Sequence, residues 1–271
     1  MSRQRKQNSR YTQLQRSVNV HLNSNLASYA SVGKRIDTPD GPLFFADNGG
    51  DILAVAHLDY VGRSTPKWNG DVVRCVQLDD RLGVWVLLDL LPSLGCVPFD
   101  VLLTDGEEAG RSTAAHFAPE KKYNWIFEFD RAGMDCVLYE FQDSDMVGLV
   151  EERGFEVGYG SFSDICSLQH LGVKGFNFGT GYHEPHTPNC HANINETIAS
   201  AIMFVDFAKD LHGTRLPHKE RDMIVEKRES WFDYSCEDDR VCYYCGQYCD
   251  EDWIFCPGCA TRIDEPSTIP L

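Results

Sequence analysis

No apolar run in this 271-residue chain approaches the length needed to span a bilayer, so no membrane partner is expected. The opening stretch MSRQRKQNSRYTQLQRS lacks the apolar middle of a secretion signal, and a cytoplasmic protein is expected. Positive charge is scarce. Lys and Arg number 25 against 41 Asp and Glu, and a net charge of −16 argues against nucleic-acid binding. Acidic residues are absent from residues 1–36, which hold seven Lys or Arg. This basic N-terminal arm reads as a fraying tail or as a contact to an acidic surface. Cysteine is not scarce, but five of the eleven (Cys75, Cys96, Cys136, Cys166, Cys190) are scattered, and without a secretion signal they read as free thiols.

What is present is enough apolar residue, 42%, for one large core and a small appendage. From about residue 43 strand and helix signals alternate. PLFFAD and DILAVAHLD flank Asn48-Gly49-Gly50, a hairpin signal. VVRCVQLD leads into an apolar helix, DRLGVWVLLDLLPSLG; PFDVLLTD, NWIFEFD, MDCVLYEFQ and VKGFNFGTG read as strands; SDMVGLVEERG, SFSDICSLQHLG and NETIASAIMFVDFAKDLHG read as helices. Continuous apolar strands with helices between them imply an α/β fold: a twisted, mostly parallel sheet with helices on both faces. Ligand sites in such sheets gather at the carboxyl ends of the strands. The expected division is the arm at 1–36, a catalytic domain at 37–213, a charged linker at 214–240 and a small metal-bound unit at 241–271.

Five motifs follow one another in the expected catalytic domain: His57-x-Asp59, Asp79-Asp80, Glu107-Glu108, Asp130, and the cluster His183, Glu184, His186 and His191. His57 and Asp59 are two apart on a strand and share a face, so Asp59 is placed to orient the imidazole of His57. Paired acids at Asp79-Asp80 and Glu107-Glu108 are costly without a cation, although each pair also suits the start of a helix. One acid of a pair can ligate metal while its neighbour serves as general base. Glu128 rivals Asp130, and spacing alone does not choose among the three histidines. Together these side chains can supply two zinc ions with a bridging carboxylate and further ligands on each.

The string AHLDYVG, LDDRLG, TDGEEAG, the FD of EFDRAG and GYHEPHT resembles the co-catalytic zinc peptidases, which include bacterial leucyl aminopeptidases, peptidase T and glutamate carboxypeptidases. The resemblance covers about residues 43–212. It implies metal ligands at His57, Asp79 (bridging, often with a cis peptide after it), Glu108, Asp130 and His186, with Glu107 as general base. With 55 residues between Asp130 and His186 and 19 between Asp59 and Asp79, no lid domain or inserted barrel fits, which favours the compact aminopeptidase type. SFSDICSL resembles the Ser-Asp stretch found there before the last strand. The family's oxyanion tyrosine has no aligned counterpart here; Tyr182 and Tyr159 are candidates. The acid that usually follows the His-Thr segment is replaced by Cys190 or displaced to Glu196.

Cys242-x-x-Cys245 and Cys256-x-x-Cys259, ten residues apart with glycines beside the thiols, have the spacing of a four-thiolate zinc site and resemble a zinc ribbon. The expectation is therefore a zinc aminopeptidase acting on a peptide or small amide, with two catalytic zinc ions (manganese or cobalt as alternatives) and one structural zinc. The ribbon is a candidate for partner contact or self-association. The competing readings are an N-deacylase on the same scaffold, or a silent scaffold that recruits partners through its ribbon.

Overall fold

The computed structural model describes residues 3–219 and two short strand pieces, Arg240–Val241 and Tyr248–Cys249. It divides into two units, residues 1–220 and 221–271. In the second, β12 (Arg240–Val241) pairs antiparallel with β13 (Tyr248–Cys249). Cys242, Cys245, Cys256 and Cys259 lie outside the described residues.

The first unit is built on a seven-stranded sheet. Its strands are β1 (Lys34–Thr38), β2 (Gly41–Ala46), β3 (Leu53–His57), β6 (Asp100–Thr104), β7 (Ile126–Arg131), β8 (Cys136–Val137) and β9 (Gly175–Gly179), in the order β1-β2-β6-β3-β7-β9-β8. The centre, β6-β3-β7-β9, is parallel, and β1, β2 and β8 are antiparallel to their neighbours. The alternation along each strand sorts residues to two faces. Ala54, Ala56, Leu103, Phe127, Phe129, Phe176 and Phe178 join the larger core, with α2 (Arg81–Trp85), α3 (Leu91–Ser93), α4 (Ser144–Glu151) and α5 (Ile194–Leu211) contributing to it. Leu53, Val55, Leu102 and Ile126 face the smaller core, closed by the 3-10 helices Thr113–His116 and Asp164–Leu171.

Aromatic rings fill the larger core. Trp125 meets Phe176 and Phe207 edge-on at 5.8 and 5.6 Å between ring centroids, and its indole N–H donates to the carbonyl of Leu211. Contacts of this kind contribute about 0.5–1.5 kcal/mol each beyond burial. They fasten α5 to the strands that end at the site.

A second sheet, β10 (Tyr182–His183), β11 (His191–Asn193), β5 (Val72–Arg74) and β4 (Lys67–Asn69), carries Tyr182, Ala192 and Val73 into the same core. The segment VVRCVQLD is thus a short strand of this small sheet followed by a 3-10 turn, Val76–Leu78. The apolar helix after it turns through a π segment, Val86–Leu90, just before Pro92, which has no N–H to donate.

Two expectations are corrected. The hairpin across Asn48-Gly49-Gly50 does not form, because β6 lies between β2 and β3. The loop instead grips the start of β6: the backbone N–H groups of Asn48 and Gly50 donate to buried Asp100, and a Cβ on Gly50 would stand 2.3 Å from the Phe99 backbone. The hairpin is β1–β2, turned at Pro39-Asp40. Nor is the basic arm a tail: it forms α1 (Arg3–Asn23), and Val18, Leu22 and Tyr29 are buried in the larger core.

Candidate active site

His57 closes β3, and the β6 chain continues through Asp105 and Gly106 into a 3-10 turn, Glu107–Ala109. Gly106 sits at φ +82, and a Cβ there would crowd the Arg111 carbonyl at 2.8 Å, so the sharp turn that presents the two glutamates requires glycine. Asp130 lies near the end of β7. Asp79 comes from neither sheet. It follows the 3-10 turn, is joined to Asp80 by a cis peptide, and Asp80 caps α2 by accepting the N–H of Gly83 at 3.0 Å. His186 stands in the β10–β11 loop at φ +60 and is 49% exposed.

These elements bring His57, Asp79, Glu107, Glu108, Asp130 and His186 together. Asp79 is the centre: its Oδ1 lies 3.2 Å from His57 Nε2 and its Oδ2 lies 3.1 Å from His186 Nε2. Asp130 Oδ1 is 3.5 Å from His57 Nε2, and Glu108 Oε2 is 3.2 Å from His186 Nε2. Two donor triplets result, each with one imidazole, one oxygen of Asp79 and one further carboxylate. Ligands of one tetrahedral zinc stand roughly 3.3 Å apart, given nitrogen and oxygen bonds of about 2 Å. Glu107 Oε2 lies beside the first triplet, 3.9 Å from His57 Nε2.

Asp59 supports both halves. Its side chain lies 3.4 Å from His57 Nδ1, and its two oxygens accept the backbone N–H groups of Glu107 and Glu108 at 3.2 and 3.0 Å. One carboxylate therefore sets the angle of an imidazole and holds the turn that carries two acids.

The electrostatics call for cations. Burial would depress His57, but Asp130 first, then Asp59 and Asp79, hold it well above its usual value. Burial works against ionisation of Asp79 too, yet hydrogen bonds from His186 and His57 keep its carboxyl far below the ordinary range. Asp80 is pushed up chiefly by burial, and Asp130 by burial and then Asp79. Burial, with the charges of Asp164, Asp79 and Glu108, lifts Glu107 to about 8. Hydrogen bonds to Asp79 and Glu108 raise His186 to about 10. Buried oxygens of Asp80, Glu108 and Asp130 have no hydrogen-bond partner. Crowded acids with unpartnered oxygens facing imidazoles are a donor set that bound metal cations would satisfy.

Other candidates fall elsewhere. Glu128 is 1% exposed with both oxygens unpartnered, but it joins neither triplet. His183 and His191 pair with each other across β10 and β11, and Glu196 contacts His183 rather than the site. Cys190 is buried. Tyr159 is 84% exposed; Tyr182 is buried, its phenol raised by burial and then by neighbouring Asp79. Asp164 was not singled out by spacing. It is buried and accepts hydrogen bonds from Thr104 and Ser112, tying the β6 end to the loop after the glutamates. The Ser163-Asp164 pair in SFSDICSL was its only signal.

No protein-family model matches the sequence, and no curated protein matches it either. Solved structures share its fold. PhTET1-12s, a dodecamer, superposes with a TM-score of 0.52 at 13% identity, covering 72% of this chain and 98% of that one. A tripeptidase from Staphylococcus aureus superposes at 0.51 with 10% identity, covering 74% and 91%. The TET1 peptidase of Pyrococcus horikoshii, which can assemble into a tetrahedron or a large octahedral shell, gives 0.47 at 14% identity, covering 66% and 90%. At these identities the likeness to the first two is one of fold. Among the described residues, no helix is long and apolar enough to cross a membrane.

Proposed function

We propose that this chain is a metal-dependent peptide hydrolase, an aminopeptidase that works with two zinc ions and a glutamate base. The observation that carries the reading is the carboxylate of Asp79, with one histidine on each oxygen. One ion would be held by His57, Asp79 and Asp130, the other by Asp79, Glu108 and His186. When bound, the ions supply Lewis acidity to the scissile carbonyl and to the attacking water. The fold shared with a tripeptidase supports a peptide as substrate.

Glu107 is the general base. It stands beside the first triplet, 3.9 Å from His57 Nε2, yet neither triplet needs it, and a base must lie within reach of the proton it takes. Its carboxylate accepts a proton from water and returns it to the leaving amine, so the proton count closes. Asp59 fixes the backbone of Glu107 and keeps that reach constant. The four cysteines at 242–259 would hold a structural zinc and offer a contact surface; manganese or cobalt could replace zinc in the catalytic pair.

The test compares peptides with free and blocked N-termini, in wild type and Glu107→Ala. Free N-termini should be cleaved, and the variant should lose at least about 100-fold in kcat with metal content unchanged. Cleavage of N-acyl substrates alone would favour the deacylase reading, and full turnover by the fully metallated variant would remove Glu107 from its role.

A further inference from the structure

His183 and His191 are not used by the catalytic reading, yet they stand directly opposite each other at the base of the loop that carries His186. Their rings lie 5.4 Å apart between centroids, tilted by 33°. Glu196, in the first turn of α5, brings Oε2 to 3.3 Å from His183 Nε2. That is already the separation of two ligands on one zinc-sized ion, roughly 3.3 Å.

The donors are also held by neighbours. His191 Nδ1 lies 3.0 Å from the carbonyl oxygen of Asn189. A carbonyl only accepts, so Nδ1 carries the hydrogen and Nε2 keeps its lone pair. Glu196 Oε1 accepts a hydrogen bond from Asn193 Nδ2 at 3.2 Å, which orients the carboxylate and leaves Oε2 toward His183. A metal-bound carboxylate is commonly hydrogen-bonded in turn, as Glu196 is here.

We infer that His183, His191 and Glu196 form a separate site for a transition-metal dication of the zinc type, which clasps the base of the β10–β11 loop. Two imidazoles and one carboxylate select zinc, nickel or copper over magnesium or calcium. Partly exposed His191 must turn to bring Nε2 to the other two donors, exchanging its Asn189 contact for the ion as it does so. Arg74 stands across β11 from His191 on the side away from His183, so the carboxylate is what makes the site attractive to a dication.

The consequence is mechanical. His186 and Glu184 both have positive φ, a backbone region that costs non-glycine residues energy and persists only where the surroundings enforce it. An ion bridging the last paired residues, His183 and His191, fixes both ends of the loop. The site is independent of the catalytic proposal, because it shares no ligand with it.

The test equilibrates the full chain with buffered free zinc, removes excess, and measures zinc per chain by elemental mass spectrometry. Wild type is compared with His183→Ala/His191→Ala, Glu196→Gln and Asp79→Asn. The double variant should hold one ion fewer than wild type, and Glu196→Gln should need at least about 10-fold more free zinc to fill that ion. In Asp79→Asn, added zinc should slow hydrogen exchange of the amides at 184–190, and adding His183→Ala should abolish the slowing. Glu196→Gln alters one partly exposed side chain and keeps the test open should the double variant not fold. Equal zinc content and equal affinity in wild type and the clasp variants overturn the inference. Undiminished zinc in Asp79→Asn would instead sink the catalytic pair and leave the clasp standing.

Discussion

Replacing Glu107 with glutamine should stabilise the chelator-stripped chain while removing its activity. The carboxyl of Glu107 is lifted from an ordinary 4.5 to about 8, first by burial and then by Asp164, Asp79 and Glu108. Between those values the folded chain keeps a proton that the unfolded chain has released. Stability contributed by the protonated form is therefore complete below about pH 4.5 and falls as pH rises toward 8. The gap corresponds to roughly 5 kcal/mol at about 1.4 kcal/mol per pH unit. Its side chain is 13% exposed and neighbouring acids relax together, so about 2 kcal/mol or more should be measurable. Glutamine keeps the shape and never ionises. Urea unfolding with chelator at pH 5 should show little difference between variant and wild type, and at pH 8.5 the variant should be the more stable. A variant of equal or lower stability at pH 8.5 would refute the idea that uncompensated acids crowd this site.

Asp59→Asn keeps the size of a side chain that accepts two backbone N–H groups and contacts His57, but only its single oxygen can accept. Metal affinity should drop by about 10–100-fold with little loss of fold, as read by zinc competition and circular dichroism. Gly83→Ala would place a Cβ 2.0 Å from Asp80 Oδ1 and 2.1 Å from the Phe129 carbonyl. The α2 cap must then shift, and a loss of about 1–3 kcal/mol or more in thermal or urea unfolding is expected; an unchanged Tm would contradict this packing.

The parallel centre of the sheet was legible because LAVAH, DVLLT and GFNFG are buried on both faces and so carry no polar alternation. The convergence of His57, Glu107, Glu108 and Asp130 was legible because they lie at or just past the ends of β3, β6 and β7. What misled was local. Asn48-Gly49-Gly50 has hairpin chemistry, but the turn preference says nothing about which strand lies next door, and the backbone of Phe99 and Asp100 claims those glycines and amides. The polar composition of α1 hid the burial of Val18 and Leu22. Two-residue spacing put Glu128 on the face of Asp130, but of the two it is Asp130 that comes within 3.5 Å of His57 Nε2, and β7 pairs irregularly with β9 between Glu128 and Arg131. Asp164 acts through Thr104 and Ser112, contacts that no spacing in one sequence encodes.

Asp79 draws one histidine from 22 residues upstream and the other from 107 residues downstream, the first at the end of a strand of the large sheet and the second in a loop between two strands of the small one. A nascent chain that has finished only its first 180 or so residues therefore holds His57, Asp79, Glu107, Glu108 and Asp130 but lacks His186, and the cluster is complete only once the late β10–β11 loop has been made.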